Sequence, residues 1–419
     1  MRFELFIARR LKLGGAESRS AAPNLTIAVV GMVLAIVVMI LSITIVCGFK
    51  NEISNKIYNL DSHIKVTNSA VLVGGDNYST VDARDVIPLL KSNPIADSLT
   101  SISLIAEKPA ILKTDDNFKG IVFRGVDDAF CWDYYGACLV EGRVPEFGDS
   151  ADVAEVIVSQ KVASQLMLGV DDRILTYFID DKVRRVRKSK IVGVFATDFD
   201  EYDNTYILGN IKVLQNVNGW DENVGTYIGV DTRYIADVES QAYNIYNLIM
   251  KSVVANESRI MYSVSDTTRN NYAYFSWLDL LDMNVIIILI LMTVVSAFTL
   301  IAGLLMIVLE RINMIGMLKT LGATNGTIRR IFIYLTQKLI LKSLVLGNVF
   351  GLAFALLQQY FHFVRLDAES YYIAYVPIEI NWLYIILLNV GVVVVSYVTL
   401  LAPSLIVASI KPSKSIKFE

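Results

Sequence analysis

The chain has 419 residues, a formal net charge of −3 and a mean hydropathy of +0.49, with 54% of its residues hydrophobic. That apolar content excludes a chain dissolved wholly in water, because it is concentrated in blocks rather than spread over a core. The slightly acidic balance offers no electrostatic footprint for nucleic acid. Two histidines, His63 and His362, lie far apart, and neither a Gly-x-Ser-x-Gly elbow nor a Gly-Lys-Ser/Thr phosphate loop occurs. Zinc, serine-hydrolase and intrinsic nucleotide chemistry therefore have no motif here.

In chain order, residues 1–24 open with Phe3, Phe6, Ile7 and Leu11 at near-helical spacing, flanked by Arg9, Arg10 and Lys12. That pattern predicts an interfacial amphipathic helix, ended by Gly14-Gly15. Residues 25–48 are the first apolar block, long enough to cross about 30 Å of hydrocarbon. It exceeds the apolar core of a signal peptide, and Cys47-Gly48-Phe49-Lys50 is a poor cleavage site. Lys50–Leu60 continues the helical pattern as a stalk.

Residues 49–282 read as a mixed α+β domain. His63–Val66 alternates as a strand, and Ala110–Val126 reads as a hairpin about Asp115-Asp116-Asn117. Glu155–Val158 is a short strand, followed by a helix over Ser159–Leu168 closed by Gly169. Ile174–Ile179 and Lys190–Phe195 read as strands joined by the basic run Lys182–Lys188. Tyr227–Val230 is another strand, Ile235–Ile249 a helix, and Asp266–Asp282 a second stalk. Cys131 and Cys138 lie in this domain, with a disulfide as one alternative. The acidic patch Asp198-Phe199-Asp200-Glu201-Tyr202-Asp203 is the best candidate for a carboxylate site, with a solvated polar loop as the favoured reading. No metal or cofactor site is expected on this chain.

Three further apolar blocks follow: 283–309, about 339–361 within a helix over 331–361, and 381–402. They are joined by segment 310–330 and loop 362–380, and the tail is 403–419. Residues 50–282 carry 23 basic and 34 acidic residues, and the remainder 15 and 7. Basic residues cluster before the first block, at Arg311, Lys319, Arg329 and Arg330, and in the tail. By the positive-inside rule both termini and 310–330 are cytoplasmic, and the large domain lies outside.

Segment 310–330 is the most informative. Glu310-Arg311 begins it, and a short amphipathic helix follows with Ile315, Leu318 and Leu321 on one side and Lys319 elsewhere. Gly322 breaks that helix, and Thr324 or Asn325 caps the next. The wording Arg311-Ile312-Asn313-Met314-Ile315-Gly316-Met317-Leu318-Lys319-Thr320-Leu321-Gly322-Ala323 resembles the coupling segment of FtsX-like permeases, the MacB-type or type VII ABC superfamily. The opening Phe3–Ala8, the run Gly48–Ile53 and the loop Leu366–Ile378 resemble the LolC/LolE-type lipoprotein-releasing permeases. Lys338 and Lys342 depart from the family's small or apolar residues, and Phe178–Lys188 lacks the hydrophobic tip of the LolC-branch hairpin.

The resemblance implies four transmembrane helices and a MacB-like periplasmic core domain in a bacterial inner membrane. It implies no catalysis by this chain itself. The resemblance further implies that ATP is hydrolysed by a LolD-type cytoplasmic ATPase, expected to dock on Glu310, Arg311, Ile315, Gly316, Leu318, Lys319, Leu321, Gly322 and Ala323. The remaining partners are a second permease subunit, in a homodimer or heterodimer, a LolA-type periplasmic carrier and lipoprotein cargo. Met39, Ile40, Ile43, Val46, Val285, Leu289 and Met292 are expected to wall the route of the lipid anchor. The rivals are a MacB-type mechanotransmission exporter, an FtsX-type regulator of cell-wall hydrolases, and a membrane-anchored sensor or enzyme that uses the outer domain alone.

Overall fold

The computed structural model describes residues 22–69, 80–114, 117–147, 154–179, 184–254, 261–367 and 371–408. The proposed N-terminal interfacial helix and the last residues of the tail lie outside these. The chain forms two compact units. One comprises Met1–Asn51, Trp277–Arg365 and Val376–Glu419; the other comprises Glu52–Ser276 and Leu366–Tyr375.

Helix α1 runs unbroken over Ala22–Leu60. At 1.5 Å per residue that is about 58 Å, nearly twice the hydrocarbon thickness. The extramembrane unit follows in order: β1 Ile64–Asn68, β2 Val81–Asp82, α2 Ala83–Lys91, β3 Leu99–Lys113, β4 Phe118–Val126, α3 Asp133–Ala137, β5 Leu139–Gly142, β6 Ala154–Ser159, α4 Gln160–Leu166, β7 Arg173–Ile179, β8 Arg184–Phe195, α5 Asp200–Thr205, β9 Tyr206–Asn210, α6 Lys212–Asn218, β10 Val224–Gly225, β11 Tyr227–Thr232, α7 Val238–Val254, β12 Tyr262–Asp266 and α8 Thr267–Asn270.

The main sheet runs β12-β1-β11-β3-β4-β9-β6-β8-β5, while β7 pairs with both β3 and β8. Strands β3, β4, β9, β6, β8 and β7 thereby close a ring, which removes the free edges an open sheet would expose. The switch of partners happens along β3: Leu99–Ile105 pairs with β11 and Ala110–Lys113 with β7. Pro109 falls between the two ladders. That is why a strand passes through Glu107-Lys108-Pro109, where alternation and composition argue against one. Val66, Leu104, Phe123, Val156, Phe178, Ile191, Ile228 and Ile245 belong to one buried core.

Several boundaries differ from the sequence reading. The helix after β6 ends at Met167, which takes the left-handed conformation at φ 54°, and Gly169 is not its stop. Ser159 is its N-cap, accepting from the Val162 amide at 3.1 Å. The basic run is not a linker from Arg184 onward, because Arg184–Lys188 pairs with Leu175–Ile179 as the first part of β8. The region after Asp266 is not one stalk: Asp266 ends β12 and caps α8, and the long helix starts at Tyr272.

In the helical unit, α1 is joined by α9 Tyr272–Glu310, α10 Ile312–Thr320, α11 Asn325–Phe361 and α12 Trp382–Ala408. Among the described residues, four helices (α1, α9, α11 and α12) are long and apolar enough to cross a membrane. With the mixed domain, that is the architecture the sequence predicts. Ser343, Gly347, Gly351 and Ala355 form a buried stripe of small residues along α11. A Cβ on Gly347 would lie 2.7 Å from Ile36, and one on Gly351 3.1 Å from Ile40. Small residues let helix backbones approach closely where lipid supplies no hydrophobic drive for association. Lys338 and Lys342 both sit on the exposed face of α11, off this stripe, so they leave its packing undisturbed.

Candidate functional site

The segment between α9 and α11 is a rigid corner. α10 ends at Thr320 with Leu321 as its C-cap, and Gly322 takes φ +91°, a conformation glycine adopts without a Cβ penalty. Thr324 then caps α11, its hydroxyl accepting from the Thr327 amide at 3.2 Å. Ile315, Ile328 and Phe332 join Leu304, Ile307 and Val308 in one core, so α10 is clamped to the feet of α9 and α11. This corrects the expected division of faces. Ile315 and Gly316 are buried. Leu318 and Lys319 are half-buried, as are Arg311 and Ala323, whereas Glu310, Leu321 and Gly322 are exposed. The outward surface is Asn313, Met317, Thr320 and Leu321, with Met317 63% and Leu321 78% exposed. Met317 escaped the sequence reading, although its i, i+4 spacing to Leu321 marks the shared face.

At the other end of the helical unit, two runs that carry the family resemblance meet each other. A Cβ on Gly48 would lie 2.7 Å from the Pro377 carbonyl oxygen. The Glu379 amide donates to the Thr44 carbonyl at 3.1 Å, and Asn51 donates to the Glu379 carboxylate. Lys50 pairs with Asp282 at 2.6 Å and Asp279 at 3.3 Å, and Phe49 packs edge-on against Trp277 at 5.7 Å. Gln358, buried at the end of α11, donates to the Val364 and Val376 carbonyls at 3.1 Å and accepts from the Val364 amide. The close approach explains why glycine stands at 48.

In the extramembrane unit the end of α1 is seated in a buried polar joint. Arg124, on β4, is 3% exposed. It donates to the Leu60 carbonyl at 2.9 Å, the last of α1, and to Glu107 at 2.6 Å. Tyr202 donates to the same carbonyl at 2.7 Å, and Tyr227 donates to Glu107 at 2.9 Å. The guanidinium lies 4.4 Å from the centroid of the Tyr206 ring. A cation at a helix C-terminus meets the negative end of the dipole and satisfies a carbonyl with no intrahelical partner. Burial drives the Tyr202 and Tyr227 hydroxyls well above the usual phenol range, although Arg124 opposes it. Burial also resists ionisation of Asp61, but Lys65 at 2.8 Å and Arg124 outweigh it and hold that carboxyl below its ordinary value. Cavities of about 240 and 150 Å³ both have Leu60, Asp61 and Arg124 in their walls. No sequence motif marked this joint, because its members come from six separate segments.

The acidic patch is not a solvated loop. Asp200–Thr205 is a short helix, and Phe199, Tyr202 and Asp203 are buried. Asp203 accepts from the Thr197 hydroxyl at 2.6 Å and its amide at 3.1 Å; burial nonetheless pushes its carboxyl up. Cys131 and Cys138 are separate thiols.

The proposed lipid-anchor wall is divided. Met39 and Ile40 are 1% and 0% exposed inside the helical core, and Leu289 and Met292 pack against it. These four hold helices together, and Met39 and Ile40 in particular present no open surface. Ile43, Val46 and Val285 are half-buried. The outward apolar face of α9 is instead Ile286, Ile287, Ile290, Leu291, Val294 and Phe298.

Four membrane-length helices, a closed mixed domain between the first two and a clamped corner between the second and third define a multi-pass permease-type membrane protein. Residues 25–242 match the model of the MacB-like periplasmic core domain and residues 286–412 that of the FtsX-like permease C-terminal domain. The chain belongs to the family with the MacB-like periplasmic core domain, combined here with an FtsX-like permease C-terminus. It is similar to the lipoprotein-releasing system transmembrane protein LolC of Neisseria meningitidis, at 21% identity over 94% of each chain. It is also similar to LolE of Haemophilus influenzae, at 20% identity over 99% of each. Among solved structures, the periplasmic region of MacB from Actinobacillus actinomycetemcomitans is similar at 11% identity, over 50% of this chain and 91% of that one, with a TM-score of 0.34.

Proposed function

We propose that this chain is the permease subunit of an ABC transporter that releases lipoproteins from the inner membrane to a periplasmic carrier. The observation that supports this most is the end-to-end similarity to LolC and LolE, joined to a corner suited to receiving force. In this reading a separate cytoplasmic ATPase docks on Asn313, Met317, Thr320 and Leu321. Both termini share its side of the membrane, as the cluster of Arg311, Lys319, Arg329 and Arg330 favours. Closure of the ATPase pair on ATP turns α10, and the core around Ile315 and Phe332 carries the turn into α9 and α11. A second permease subunit completes the pathway.

Exposing an acyl chain to water costs about 0.8 kcal/mol per CH₂, hence on the order of 10 kcal/mol for each long chain. Extraction therefore needs work from ATP and an apolar receiving surface on a carrier. The outward face of α9 is the route assigned to the lipid anchor. The test is reconstitution of the chain with its ATPase in liposomes that contain a triacylated lipoprotein. Lipoprotein should reach the soluble fraction only with both ATP and carrier. ATP hydrolysis that continues while every lipoprotein stays in the bilayer would refute the reading, and export of a soluble substrate instead would favour the MacB-type alternative.

A further inference from the structure

The tip of the second outer loop, Leu366–Tyr375, groups with the extramembrane unit rather than with the helices it connects. The Tyr372 ring stacks on Phe199, with centroids 4.8 Å apart and planes inclined by 19°. Tyr274, near the start of α9, meets both rings edge-on, at 5.3 Å and 5.9 Å. Its hydroxyl donates to Glu201. Lys56, on the last turns of α1, donates to the Thr197 carbonyl at 3.0 Å and to the Tyr372 carbonyl at 3.3 Å. Extensions of α1 and α9 and the loop before α12 thus converge on the segment that looks, in sequence, like a solvated acidic patch.

The backbone at this point is committed. Asp198 and Tyr372 both have positive φ, 56° and 61°, without being glycine. A bulky residue persists there only where its surroundings over-determine the conformation. Asp203 supplies part of that constraint by fixing Thr197, whose hydroxyl in turn accepts from the Phe199 amide at 3.2 Å. A loop that only linked two spans would need neither the buried Phe199 nor a strained tyrosine.

We propose that Phe199, Tyr372 and Tyr274, with Lys56 and Glu201, form a permanent clasp. It makes loop Leu366–Tyr375 move as one body with the domain inserted between α1 and α9, and so ties that domain to α11 and α12 as well as to α1 and α9. These are positioning residues, and the proposal rests on the transport reading above.

The test uses the full complex with Cys47, Cys131 and Cys138 replaced by serine. Tyr372→Ala should lower ATP-driven release about tenfold while leaving ATP hydrolysis and assembly unchanged, and Tyr372→Phe should keep release. Phe199→Cys with Tyr372→Cys should be as defective as Tyr372→Ala until a short bifunctional thiol reagent joins the pair, and the joined form should regain release. Cross-linking yield should be equal in the resting and vanadate-trapped complexes. Full release by Tyr372→Ala, no recovery on joining, or a yield that falls on trapping would each overturn the clasp. If the parent complex releases no lipoprotein, the transport reading fails. The yield comparison, which needs no cargo, then still decides the clasp.

Discussion

Arg124 in the extramembrane unit and Gly347 in the helical unit both hold an end or a flank of α1, by opposite chemistry. Where water surrounds the structure, the carbonyl end of the helix is met by a buried guanidinium, two carboxylates and several tyrosine hydroxyls. Where lipid is expected, contact with the same helix is made by removing side chains, so that Ile36 and Ile40 fit over Gly347 and Gly351. Polar bonding there is sparing: Asn348 and Asn389 exchange two amide bonds, at 2.6 and 2.9 Å, between α11 and α12. The difference follows from solvent. Water makes apolar burial favourable, so a domain can tolerate a costly ionic joint where direction matters. Hydrocarbon supplies no such drive, and helices associate through close packing and a few hydrogen bonds.

The comparison is broken most severely at Arg124. Arg124→Met leaves half-buried Glu107 without its cation and Asp61 with Lys65 alone, and should destabilise the extramembrane unit by about 3–5 kcal/mol. Denaturant unfolding followed by tryptophan fluorescence measures it, and adding Glu107→Leu should recover part of the loss. A deficit below 1 kcal/mol in the single variant would mean that the joint is not ionic in effect. Next comes Gly347→Leu, which drives atoms into Ile36 and should cost about 1–3 kcal/mol, seen as a lower melting temperature in detergent. Ile36→Ala should relieve it if the clash is the cause.

The ionic side of the comparison also predicts an acid limb. The Asp61 carboxyl is held below its unfolded value, so its contribution is complete above the unfolded pKa of about 3.9 and is lost as pH falls through the lower folded pKa. Unfolding scans below about pH 4 should show the loss, and Asp61→Asn should flatten that limb. Asp203 acts with the opposite sign, because its folded carboxyl is raised. The variant at 61 therefore isolates one group. The smallest effect is expected at the amide pair: Asn348→Leu should cost only about 0.6 kcal/mol, the usual worth of a bond between membrane helices. A loss as large as that from Arg124→Met would erase the distinction between the two regions.

Much of the architecture was legible because it rests on one-dimensional signals. Runs of apolar residues marked the membrane helices, Gly322 marked the corner, and turn residues marked the β3–β4 hairpin. Reading failed where partners come from distant segments. The hairpin was begun at Ala110, whereas β3 starts at Leu99, because the switch from β11 to β7 along one edge cannot be seen in β3 alone. Ile315 and Leu321 looked equivalent on a short amphipathic helix, and packing against α9 and α11 buried one and exposed the other. The acidic patch looked solvated because nothing local shows that Tyr372, about 170 residues later, covers Phe199. The stripe Ser343, Gly347, Gly351, Ala355 was readable at i, i+4 spacing and went unread, since a hydropathy count passes over small residues.

Hydropathy, charge placement and local wording by themselves determined that this chain crosses a membrane four times, carries one large α+β insertion and resembles the lipoprotein-releasing permeases. Each of those properties is additive along the chain, so no knowledge of neighbours is needed. Only the tertiary structure decided which residues face outward at the corner between α9 and α11, that Met39 and Ile40 are buried in the helical core, and that Arg124 seats the end of α1. Those outcomes depend on which side chain reaches a shared position first, and burial and pairing are properties of the assembled fold rather than of any one segment.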